Sequence, residues 1–261
     1  MNTIVASPTI ADHTDGDRPT IVLVHGNWAD ASSWTRVIER LRRDGFTTMA
    51  PPNNLRGPVA DSAYLRAYLE TLEGPIVLVG HSYGGFVITN AATGLANVKA
   101  LIYVDAMMPD EGQLIGPLTG ADSALASAAA DPTAFFHLAP YPGAPEGVVD
   151  TYLLPEVVKS AFATDLDPDE QAIIAATQRP ASLAEFADPS GPPAWRDIPA
   201  WAIIGTRDRI ITPESQRQMA EHAGAEITEV DASHVSMLSK PDVIVDVIEA
   251  AASRVTAMAR A

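Results

Sequence analysis

The chain has 261 residues, 47% of them apolar, which is enough for one large domain with a full core. Its 17 basic and 33 acidic residues leave a formal charge of −16 with no basic cluster, which sets the surface against phosphate backbones and anionic membranes. It contains no cysteine, so disulfides, thiolate catalysis and cysteine-ligated zinc are excluded.

Residues 1–19 have no basic region followed by a long apolar stretch, and read as a flexible extension rather than a signal peptide. No apolar run approaches the length of a membrane span, and a cytoplasmic protein is the expectation. Thr20-Ile21-Val22-Leu23-Val24 suits a strand covered on both faces, and it runs into His25-Gly26-Asn27-Trp28. Trp34, Val37, Ile38 and Leu41 then recur at helical spacing, with Ser32 or Ser33 to cap the helix and Gly45 to end it. Phe46 to Ala50 reads as a second strand. After a loop dense in Pro, Asn and Gly, the residues Tyr64, Leu65, Tyr68, Leu69 and Leu72 predict a helix behind an Asp61 cap.

Next comes Ile76-Val77-Leu78-Val79-Gly80-His81-Ser82-Tyr83-Gly84, an apolar run meeting a serine bracketed by glycines and then a helical pattern. This fits a nucleophile elbow, in which a strained turn lifts the serine hydroxyl out of the backbone at a helix N-terminus. Val98 to Val104 supplies a fourth strand ending at Asp105, so strands and helices alternate as in parallel βαβ units. From 110 to 195 the rhythm breaks, no strand is expected, and the segment reads as a helical insertion. Asp167-Pro168 opens one helix, Ser182 with Glu185 reads as a capping box, and Phe135, Phe136, Tyr141, Tyr152, Phe162 and Phe186 supply a small core. Alternation resumes with Ala200 to Ile204, the loop Gly205-Thr206-Arg207-Asp208-Arg209, a helix from Thr212-Pro213 to Gly224, and the strand Glu226 to Val230. Asp231-Ala232-Ser233 leads to His234, and a last helix follows Pro241 with Ile244, Val247, Ile248 and Ala251 on one face.

A serine hydroxyl needs a base within hydrogen-bond reach, and the base needs a group to hold its tautomer. Ser82, Asp208 and His234 each follow an apolar strand, so a parallel sheet brings all three to its carboxyl edge. Asp105 also ends a strand and competes with Asp208 for the acid position, whereas Asp231 is too near His234 in sequence. His25 and His81 flank the site and read as structural; His13, His137 and His222 read as exposed. No histidine and carboxylate pattern has metal-ligand spacing.

On these motifs, and on their order Ser, Asp, His, the chain from Thr20 onward resembles the α/β-hydrolases. Within them it is most similar to small bacterial esterase-like proteins related to plant hydroxynitrile lyases and methylesterases. The resemblance implies a mostly parallel sheet of about six strands with helices on both faces. The core would span 20–109 and 196–261, with 110–195 as the helical cap. It implies a cofactor-independent enzyme in which Ser82 is the nucleophile, His234 the base and then the acid, and Asp208 the group that orients the imidazole. The backbone N–H groups of Asn27 and Tyr83 would form the oxyanion hole. Trp28 would be either a wall of the substrate pocket or a core residue beneath the first helix. A serine at the elbow, where dehalogenases and epoxide hydrolases of this fold use aspartate, favours an acyl-serine route. Val235 and Ser236 stand where related lyases carry a lysine just after the histidine, which sets lyase chemistry behind hydrolysis.

The expected activity is hydrolysis of a small hydrophobic carboxylic ester through an acyl-enzyme, with no metal, nucleic-acid partner or membrane partner. Lyase-like chemistry, perhydrolysis, a receptor-type binding protein and a homodimeric state are kept as alternatives. Histidine chemistry of this kind predicts a rate that rises with an ordinary histidine pKa.

Overall fold

Apolar runs too short for helices and too continuous for a half-exposed sheet become strands buried on both faces. The computed structural model describes residues 18–129 and 131–259. Its strands, in chain order, are β1 (Thr20–Val24), β2 (Thr48–Met49), β3 (Ile76–His81), β4 (Val98–Val104), β5 (Phe136–Ala139), β6 (Asp150–Leu153), β7 (Ala181–Ser182), β8 (Ala200–Gly205) and β9 (Glu226–Val230). Six of them form one parallel sheet in the order β2-β1-β3-β4-β8-β9. Every residue of β3 and β8 is buried, and in β4 only Lys99 is exposed. The helices Thr35–Arg43, Pro58–Leu69, Tyr83–Ala91, Pro213–His222 and Pro241–Ala259 connect or flank these strands.

Register decides which residues meet. Val24 lies opposite Gly80, Gly80 opposite Tyr103, Val104 opposite Ile203, and Gly205 opposite Val230. The turns after β1, β3, β4, β8 and β9 therefore open along one edge of the sheet, bringing residues 27, 82, 105, 208 and 234 to it.

The elements depart from the sequence reading at several places. Asp30, rather than Ser32 or Ser33, caps the first turn, accepting from Ser32 N at 2.7 Å ahead of a 3-10 segment Ala31–Trp34. Asp61 lies inside the helix that starts at Pro58, and its carboxylate turns back to accept from Arg56 N and Gly57 N. The second strand shortens to Thr48–Met49. Between 110 and 195, alongside helices such as Pro168–Thr177, β5, β6 and β7 form an antiparallel sheet where no strand was expected. These strands have four, four and two residues, and in β6 the polar Asp150 and Thr151 are buried beside each other, so neither length nor alternation marks them. Residues 1–17, where the extension and His13 fall, lie outside the described residues. Among the described residues no helix is long and apolar enough to cross a membrane.

Candidate active site

β3 ends at His81 and a helix begins at Tyr83, so Ser82 makes the whole turn, with φ 54° and ψ −125°. A non-glycine residue in that region is strained, and the surrounding packing must hold it there. The flanking glycines make the packing feasible. A Cβ on Gly80 would lie 2.6 Å from Gly84 O, and one on Gly84 would lie 2.5 Å from Val24 O.

The turn brings Ser82 Oγ to 2.9 Å from His234 Nε2, and His234 Nδ1 to 2.7 Å from Asp208 Oδ2. Because the Asp208 carboxylate accepts, Nδ1 carries the proton and Nε2 is free to accept the serine hydroxyl. All three residues are buried. Asp208 Oδ1 also accepts from Ile210 N at 2.8 Å and Ile211 N at 3.1 Å, and its Oδ2 accepts from Gln216 Nε2 at 2.7 Å. Burial pushes the Asp208 carboxyl upward, and these donors oppose the push. Burial also lowers the His234 pKa to about 3, far from the ordinary histidine value expected from sequence.

Asp105 sits at the next strand end, yet it faces backbone. Its Oδ1 accepts from Gly205 N at 2.8 Å and its Oδ2 from Ser236 N at 3.0 Å, so it ties the base of the Asp208 loop to the turn after His234. His81 Nε2 donates to His234 O at 2.8 Å, and the two rings lie 4.9 Å apart. His25 Nε2 accepts from Asn53 N at 3.0 Å while its Nδ1 donates to Gly26 O, and burial lowers its pKa to about 4. His137 and His222 are exposed.

Tyr83 is the first residue of its helix, so its backbone N–H has no intrahelical acceptor. Its phenol donates to Asp61 Oδ2 at 2.8 Å, which fixes the residue beside the serine. Asn27 approaches from β1: a Cβ on its neighbour Gly26 would lie 2.5 Å from Ser82 Cβ. Trp28 points into the insertion, its ring 5.4 Å from that of Phe136 and 6.3 Å from that of Phe162. Phe162 in turn packs edge-on against His234 at 5.2 Å. Trp28 and Phe162, with Leu166, Ile174, Asp30 and Glu170, line a cleft of about 160 Å³ that reaches Val235, while Ser82, Asp208 and His234 do not line it.

Three residues to which sequence reasoning gave no part in the site contact its members. Gln216 lies in the first turns of the helix opened by Thr212-Pro213, and that start signal places it back toward the Asp208 loop. Asp165 accepts from Ser233 N at 3.1 Å and from the Ser233 hydroxyl, immediately before His234. Glu185, read as half of a capping box, instead accepts from Asn27 Nδ2 at 2.7 Å. Ser182 does cap the following turn, through Ala184 N. Nothing local in sequence marks Asp165 or Glu185, because their partners are 68 and 158 residues away.

A serine raised on a strand-to-helix turn, with an insertion placed between β4 and β8 of a parallel sheet, defines the α/β-hydrolase class. Residues 21–247 match the Alpha/beta hydrolase family, and the chain belongs to that family. Among curated relatives it is similar to a carbendazim hydrolyzing esterase of Nocardioides sp. (strain SG-4G), 33% identical over 104 residues. That match covers 35% of this chain and 43% of the esterase, less than half of the relative's length. It is also similar to a probable hydrolase R7 of Phoma sp. (strain ATCC 20986 / MF5453), 26% identical over 88% of this chain and 97% of that protein. A methylesterase from Arabidopsis shares the fold, with a TM-score of 0.71 and 19% identity over 90% of this chain and 99% of its own.

Proposed function

We propose that the protein is a carboxylic-ester hydrolase working through an acyl-enzyme on Ser82. The observation that carries this reading is the continuous relay from Asp208 to His234 at 2.7 Å and from His234 to Ser82 at 2.9 Å. Ser82 Oγ attacks the ester carbonyl carbon as its proton passes to His234 Nε2, and the carbonyl oxygen takes up the displaced electron pair. The N–H groups of Asn27 and Tyr83 receive that oxyanion; losing one such donor typically costs about a hundredfold or more in turnover. Collapse breaks the bond to the alcohol, which leaves with the proton from the imidazolium. Water then repeats the sequence on the acyl-serine, and Asp208 faces the imidazolium in both halves. Phe162, which packs against His234, and Trp28 give the side of the site facing the insertion an apolar wall that suits a small hydrophobic substrate. Val235, buried directly after His234, presents no cation to a cyanide leaving group, which supports hydrolysis over lyase chemistry.

The test pairs two signals. An organophosphate should label Ser82 one to one, and p-nitrophenyl esters should be turned over, with both signals lost in Ser82→Ala. Labelling without turnover would support a receptor-type binding protein instead, and the absence of both would refute the reading.

A further inference from the structure

Two consecutive residues of the turn after β1 each donate a side-chain hydrogen bond into the insertion. Asn27 Nδ2 donates to Glu185 Oε2 at 2.7 Å, and Trp28 Nε1 donates to Thr151 Oγ1 at 3.1 Å. Between them the backbone is strained: Trp28 has φ 58°, a conformation that bulky residues keep only where surrounding contacts over-determine it. The acceptors are themselves anchored. Thr151 Oγ1 donates to Ala181 O at 2.8 Å, Ser182 N donates to Leu55 O at 3.1 Å, and Leu183 N donates to Val149 O at 3.0 Å, all close to the turn that bears Glu185.

We propose that Glu185 is a positioning residue: reaching across from the insertion, its carboxyl group holds the Asn27 side chain and so aims the Asn27 backbone N–H at the oxyanion. A formed oxyanion hole then depends on a docked insertion. The inference rests on the acyl-transfer reading above and names a group that the reading does not require.

The surroundings of Glu185 argue against a space-filling role, which an apolar side chain of similar volume would serve at lower desolvation cost. It is fully buried, and among the described residues it makes no ion pair. Burial pushes its carboxyl upward, the Asn27 amide opposes that, Asp61 and Asp150 push it further and Arg56 opposes them, a net shift toward the neutral acid. A neutral carboxyl has an O–H to give, and in this pair Asn27 Oδ1 and Glu185 Oε1 are the two buried atoms without a partner among the described residues. An acid facing an amide can satisfy both, and so can the amide of a glutamine.

The experiment compares wild type with Glu185→Ala, Glu185→Gln and Asn27→Ala, in p-nitrophenyl ester turnover and in binding of an aryl trifluoromethyl ketone. Ser82 adds to the ketone carbon and leaves the oxygen in the oxyanion hole. The expected result for Glu185→Ala is a fall of about a hundredfold in kcat, with a matching loss of ketone affinity and a KM within about threefold of wild type. Glu185→Gln should recover both readouts to within about threefold. Asn27→Ala, which breaks the pair from the other side, carries the same expectation should Glu185→Ala not fold. Ketone affinity within about threefold of wild type in the alanine variants, or a glutamine variant as impaired as the alanine one, would overturn the inference. A wild type that neither turns over ester nor binds ketone would overturn the esterase reading and this inference together. An active wild type, inactive Ser82→Ala and fully active Glu185→Ala would remove this inference alone.

Discussion

The sheet edge and the insertion hold the same site by opposite means. At the sheet edge, backbone does the placing: parallel register brings five strand ends level, and the strained turn at Ser82 persists because Gly80 and Gly84 let strand and helix close on one another. In the insertion, side chains do it. Asp165 grips Ser233 beside His234, Glu185 grips Asn27, and Thr151 holds the Trp28 indole. Damage to the two regions should therefore show differently. Changes to the chemistry at the edge should remove catalysis and spare the fold, whereas changes to the ties should loosen geometry by degrees.

The largest effect should come from Asp208→Asn, which puts an amide against His234 Nδ1 and favours the wrong tautomer. A loss of about 10⁴-fold in kcat is expected from steady-state kinetics, with the fold retained in thermal unfolding at a melting temperature lowered by the NH₂ group's contact with Gln216 Nε2. Asp105→Asn should invert that pattern. It sets an NH₂ group against one of two buried backbone donors, Gly205 N or Ser236 N, for a stability loss of about 1–3 kcal/mol and a much smaller loss of rate. If Asp105→Asn abolished turnover and Asp208→Asn did not, the two carboxylates would have to exchange roles.

The pH profile sharpens the contrast further. With the His234 pKa lowered to about 3 by burial, the imidazole is already neutral at every pH above that value. The rate should therefore stay level from pH 8 down through pH 5 and fall only below, in short assays begun by a pH jump. An acid limb centred on the ordinary histidine value would mean that the site opens to water in solution. The smallest effect should come from Thr151→Val, which removes the acceptor from the Trp28 indole while Glu185 still holds Asn27. A loss of about 1 kcal/mol of stability and less than about tenfold in kcat should appear in the same two assays.

The same contrast explains what could be seen from sequence. β1, β3, β4 and β8 were legible because strands covered on both faces are near-continuous apolar runs, and the turns after β3 and β8 carry Ser82 and Asp208. Strand ends alone left Asp105 and Asp208 in competition, and the family resemblance favoured Asp208, which lies 2.7 Å from His234. Both follow apolar strands, and only the three-residue reach from Gly205 to Asp208 carries one carboxylate out to the imidazole, while Asp105, at φ 47°, folds back onto two amides. Glu185 was misread for a related reason. Its spacing from Ser182 satisfies a local pattern, but its partner is set by how the insertion docks on β1, and no local window contains both. The depressed His234 pKa was equally hidden, since it follows from burial that only the assembled site provides.

Acyl transfer to Ser82 is covalent chemistry at one oxygen, and the most direct test is rapid mixing with a p-nitrophenyl ester followed by acid quench and intact-mass measurement. The expected result is a burst of one p-nitrophenolate per chain, with the acyl mass located on Ser82 and absent from Ser82→Ala. Linear release without a burst, continuing at the same rate in Ser82→Ala and with no acyl adduct on the chain, would contradict it.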